Sequence, residues 1–152
     1  MRAWQREILI QELSDLKKRI TKNHISAGQK ASGRTIASLT VETGDTFGQL
    51  TGRKFFATLE TGRKAGRVPG NFQSIILKWM QDKGINVQKP KSFAFLVARK
   101  IAREGTLLYR TGGRADIYSN EVNLTIERLT KRLGDDQVTE LMRMFDNVKV
   151  TV

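Results

Sequence analysis

The sequence predicts an α+β fold: a small, mostly antiparallel sheet packed against amphipathic helices, with an N-terminal helix ahead of it. Three observations predict this. Apolar residues recur at three- and four-residue spacing in several segments, short β-branched alternations lie between those segments, and glycines mark the boundaries. Strands are expected within residues 39 to 59 and at 148 to 152, covered by helices at 72 to 83 and 92 to 104.

The chain of 152 residues suits one domain: an N-terminal helix over 1–24, an α+β body over 25–147 and a closing strand over 148–152. In the first helix Trp4, Ile8, Leu13, Leu16 and Ile20 form a broad apolar face, and Lys17, Lys18, Arg19 and Lys22 load its C-terminal end, where the helix dipole favours cations. His24, the sole histidine, reads as a surface residue at the end of this helix. Residues 24 to 34 read as a loop. Ile36 to Thr43 ends in a short alternating apolar pattern, Leu39 and Val41, and Phe55 to Leu59 is its candidate antiparallel partner, with Gly44, Gly48 and Gly52 breaking the chain between them.

Asn71 is placed to cap a helix bearing Phe72, Ile75, Ile76, Trp79 and Met80, which Gly84 ends. Ser92 is placed to cap the next, with Phe93, Leu96, Val97 and Ile101 as its apolar stripe and Gly105 as its stop. Trp79 and Phe93 thus read as core residues rather than base-stacking platforms. Asp116 or Ser119 caps a helix carrying Val122, Ile126, Leu129 and Leu133, stopped by Gly134. Asp135 or Asp136 caps a shorter one with Val138, Leu141, Met142 and Phe145.

Two glycine-rich basic loops stand out, residues 62 to 70 with Arg63, Lys64 and Arg67, and residues 106 to 115 with Leu107, Leu108, Tyr109, Arg110 and Arg114. These eight residues are the candidates for an interface or a DNA path. The first loop lacks the order of a P-loop or a dinucleotide fingerprint, so it reads as a partner contact, a stretch of DNA path or a solvated loop. The second needs a home for its apolar side chains, under the core or on another subunit.

Formal net charge is +12, unevenly spread: residues 1 to 115 hold 22 Lys+Arg against 8 Asp+Glu, whereas residues 116 to 152 hold 5 against 7. A basic surface of this kind suits a polyanion or an acidic protein, and the chain's own acidic end is a further candidate, in cis or in a neighbouring subunit. There is no cysteine, hence no disulfide or thiolate chemistry. No run approaches the roughly 20 apolar residues that span a bilayer, and the N-terminus lacks the pattern of a signal peptide. One histidine and no spaced carboxylate cluster give no support to a metal site, a cofactor or a catalytic triad. The expectation is a non-enzyme.

The ordered segments SGRTIASLTVE at 32–42, FATLETGRKAGRVPG at 56–70, LKWMQDKGI at 77–85 and AFLVARKIAREGT at 94–106 resemble the neck and tail-completion family of tailed bacteriophages, the small head-to-tail joining proteins. The resemblance lies in their order and spacing. It implies a structural virion protein that forms a six- or twelve-fold homo-oligomeric ring at the head-to-tail junction, between portal or adaptor and tail proteins. Such a protein is assembled in the host cytoplasm and could touch genomic DNA nonspecifically in the channel, without a membrane. The alternative function is a sequence-nonspecific nucleic-acid-binding module, although no helix-turn-helix, RRM, KH or zinc pattern accompanies the charge.

Overall fold

A computed structural model describes residues 1–134. Along the chain run α1 (Ala3–Ser26), α2 (Arg34–Ala37), β1 (Thr40–Thr43), β2 (Gly48–Thr51), α3 (Thr58–Thr61), α4 (Phe72–Asp82), α5 (Pro90–Glu104), α6 (Leu107–Arg110) and α7 (Ser119–Leu133). The fold is α+β and mostly helical, with a long N-terminal helix and a two-stranded antiparallel sheet. The expected second helix beyond Gly134 and the strand at 148 to 152 lie outside the described residues.

The larger core joins α1, α7 and the sheet. Leu9, Leu13, Leu16 and Ile20 of α1 are buried with Leu39, Leu129 and Leu133, and Val41, Leu50 and Phe56 pack against them. Trp4 does not join the stripe: at 3.6 residues per turn it points about 150° away from the mean direction of those four residues, and it is 43% exposed. α7 runs antiparallel to α1. Near one end the Arg19 guanidinium donates to Glu121 at 2.8 Å and to Thr125 Oγ1 at 2.6 Å; near the other Arg132 donates to the buried Glu12 at 2.7 Å.

β1 pairs with β2 from Thr40 opposite Thr51 to Thr43 opposite Gly48. The second strand is therefore Gly48–Thr51, not Phe55 to Leu59, which passes through successive turns into α3. A Cβ on Gly48 would stand 2.5 Å from Leu9 Cδ2, so the glycine that reads as a strand breaker is what lets β2 lie against α1. The sheet is covered by α1 rather than by α4 and α5 as expected, because α4 and α5 bury their apolar faces on each other.

That second core consists of Ile76, Met80, Ala94 and Ala98. α4 ends as expected: Gly84 has φ +69°, and the Ile85 and Gly84 amides return to the Met80 and Gln81 carbonyls at 2.9 and 3.0 Å. α5 begins at Pro90, ahead of Ser92, since proline at the first helical position sacrifices no hydrogen bond. Its buried line is Ala94 and Ala98, flanked by Val97 and Ile101, whereas Phe93 and Leu96 are 43% and 61% exposed. Trp79, at 41%, is likewise outside the core. The short alanine side chains let the two helices approach, and the bulky neighbours are turned outward.

His24 is also not a surface residue. It continues the α1 stripe one turn beyond Ile20, is 3% exposed, and places Nδ1 3.3 Å from Gln29 Oε1. Burial lowers its pKa, the Gln29 hydrogen bond opposing this in part.

Two outcomes are expected. Ala94→Leu should destabilise the fold by about 1–3 kcal/mol through overpacking, whereas Leu96→Ala should stay within about 0.5 kcal/mol, both measured by chemical denaturation. Because His24 binds its proton less readily folded than unfolded, its contribution is present above the unfolded value of 6.5 and is lost as pH falls through the lower folded value. A stability titration from pH 8 to pH 5 should therefore decline below about 6.5, and His24→Gln should flatten that decline.

Candidate interaction surface

The two basic loops flank one buried carboxylate. Glu60, in the single turn of α3, is 3% exposed. Its Oε1 accepts the backbone N–H groups of Ile117, Tyr118 and Ser119 at 2.9, 2.6 and 3.0 Å, and its Oε2 accepts the Ser119 hydroxyl. These donors surround the start of α7, where the helix exposes unpaired N–H groups and the positive end of its dipole. The cap expected from Asp116 or Ser119 is thus supplied by a residue of another element. The Glu60 carbonyl also accepts the Arg114 N–H at 2.9 Å, and a Cβ on Gly113 would lie only 2.8 Å from that oxygen.

The chain leaves Glu60 through Gly62, at φ +69°, whose missing side chain makes room for the Tyr109 amide. Here the loops are joined directly. The Arg63 N–H donates to Thr106 Oγ1 at 2.9 Å, the Thr106 N–H donates to the Arg63 carbonyl at 2.8 Å, and the Gly66 N–H donates to the Ala102 carbonyl at 2.9 Å. Thr106 also caps α6, accepting the Tyr109 N–H at 3.4 Å. The segment read as a loop from Thr106 to Ala115 therefore contains a helical turn, closed by Gly112 and Gly113.

All eight candidate residues sit on or beside this junction, with different duties. Arg63 is turned inward: its guanidinium lies 5.2 Å from the Phe72 ring centroid and donates to the Arg67 carbonyl at 2.8 Å. Arg110 pairs with Glu104 at 3.2 Å, and Arg114 grips Asp116 through two bonds of 2.5 and 2.7 Å. The Arg114 guanidinium holds the Asp116 carboxyl below its ordinary range. Lys64 and Arg67 are exposed and have no carboxylate partner among the described residues. Leu107 is 67% and Tyr109 46% exposed, while Leu108 is half-buried.

The braced turn thus presents two apolar side chains at the same junction as the exposed Lys64 and Arg67. Sequence reasoning missed Glu60 and Thr106 as the residues that hold it. Thr106 had a local signal, a hydroxyl ahead of a helical turn; Glu60 had none, since its donors lie 57 to 59 residues away. Among the described residues there is no cluster of three His, Cys, Asp or Glu side chains able to hold a metal, and no helix long and apolar enough to cross a membrane.

Glu60→Ala should lower stability by on the order of 3 kcal/mol, because it leaves the start of α7 without its acceptor, and should speed amide exchange at Ile117 to Ser119. Glu127→Ala on the exposed side of α7 should shift neither by more than about 0.5 kcal/mol or its equivalent.

Comparison of the chain with protein families, with curated proteins and with solved structures found no match.

Proposed function

We propose that the protein is a non-catalytic structural subunit of a tailed bacteriophage, forming a ring at the head-to-tail junction as a neck, connector or tail-completion component. The observation that carries this reading is the apolar pair Leu107 and Tyr109, presented outward on a turn held at both ends by backbone bonds. A turn fixed in advance loses little entropy on docking, and exposed apolar side chains on it are the material of a protein contact. Lys64 and Arg67 beside them suit an acidic rim on a neighbouring protein. The ring and its position come from the order of the four sequence segments.

The second reading, nonspecific nucleic-acid binding, is favoured by the outward placement of Trp79 and Phe93 together with Arg99, Lys100 and Arg103 on α5. Location separates the two. Leu107→Ser combined with Tyr109→Ser should impair incorporation into particles without changing the denaturation midpoint of the isolated protein. The unaltered protein should remain with particles emptied of DNA, at the junction, when these are imaged and probed with antibody. Loss of the protein with the genome, or its distribution along the DNA, would transfer the function to the second reading.

A further inference from the structure

A groove of about 630 Å³ opens at the C-terminal end of α1 and belongs to neither basic loop. The buried His24 lies at its floor with Gln29, whose amide donates to the Leu59 carbonyl at 2.7 Å; Lys83 braces the Gly28 carbonyl beside it. Phe55, Ile75 and Trp79 line its walls and are 64%, 45% and 41% exposed. Arg34, Arg53 and Lys78 supply charge. Lys78 is met by Asp82 at 3.6 Å, but the two arginines have no carboxylate partner among the described residues.

We propose that this groove receives residues 135–152 of a second copy of the chain. That segment carries Asp135, Asp136, Glu140 and Asp146 against Arg143 and Lys149, interleaved with Val138, Leu141, Met142, Met144 and Phe145. Its carboxylates complement Arg34 and Arg53, and its apolar side chains match walls made of Phe55, Ile75 and Trp79. A phosphate backbone fits less well, because Asp82 stands in the wall and apolar side chains make up much of the rest.

Direction favours a second copy over the same one. α7 is antiparallel to α1 and ends with Arg132 bound to Gln11 and Glu12, whereas the groove lies at His24, about 18 Å further along α1 at 1.5 Å per residue. Within one molecule the segment would have to reverse beyond Gly134 and run back along the helix pair. Between molecules, complementary surfaces at opposite ends make a heterologous contact, the kind from which rings are built. The contact deepens the ring reading and rests on it only for the closing of successive copies into a ring.

The test uses the full chain carrying Trp4→Phe, which leaves Trp79 as the single tryptophan. A synthetic peptide of residues 135–152 should shift Trp79 emission saturably. Arg34→Glu with Arg53→Glu should weaken that response at least tenfold, while Lys64→Glu with Arg67→Glu should leave it unchanged. In sedimentation, this groove variant and a variant carrying Asp135→Lys with Asp136→Lys should each fail to self-associate, and their mixture should restore association, because every groove then meets a tail of opposite charge. No emission shift, or an equal shift in the groove variant, would overturn the proposal. So would a response to oligothymidylate in place of the peptide, which would make the groove a single-stranded nucleic-acid site. A concentration-independent change of Trp79 emission on reversing the two aspartates would place the segment on its own molecule and also overturn it. Peptide binding is read without particles, so a failed location experiment removes the ring reading and leaves this contact intact.

Discussion

One buried carboxylate holds the structure together. Glu60 sits in a single helical turn that would not stand alone, yet its side chain accepts three successive backbone amides and a hydroxyl at the start of α7. α7 in turn supplies Leu129 and Leu133 to the larger core. The Glu60 main chain leads through Gly62 into one basic loop, and its carbonyl fixes Arg114 in the other. Core and candidate surface therefore depend on the same residue: the charge is tolerated in the interior because every donor facing it belongs to a helix end with nowhere else to bond.

Small residues decide where the backbone comes closest. Gly48 lets β2 rest on Leu9 and Leu13, Ala94 and Ala98 bring α5 against α4, and Gly62 and Gly105 leave room for Tyr109 and Arg63 as the two loops meet. Several of the bulkiest apolar groups, Trp79, Phe93, Leu96 and Leu107 among them, lie outside while alanines and glycines occupy the contacts. Apolar side chains exposed to this degree are material for association rather than for folding.

Charge is divided in the same way. Arg19, Arg132 and Arg63 are spent inside the molecule, on α1–α7 pairing and on the Phe72 ring. Lys64, Arg67, Arg34 and Arg53 have no carboxylate partner among the described residues and border the two apolar surfaces, the α6 turn and the groove at the end of α1. Net charge of +12 therefore understates how local the basic character is.

The sequence by itself determined the four long helices, α1, α4, α5 and α7, because their signals are local: the α1 stripe through Ile20, Gly84 and Gly105 as stops, and Leu129 and Leu133 on α7 repeat within a few residues of one another. It also determined which loops carry charge beside apolar side chains. Only the tertiary structure decided which face of α5 is buried and that Trp79 lies outside the α4 contact. Periodicity measures where bulky apolar residues lie, whereas packing selects the side chains short enough for close approach, which is why Ala94 and Ala98 displaced Phe93 and Leu96. The same applies to the strand at Gly48, required by Leu9 across the interface, and to the burial of His24 at the end of α1. Glu60 is the clearest case: a carboxylate among basic residues has no local mark of burial, and its meaning comes from amides more than fifty residues away that only the fold brings to it.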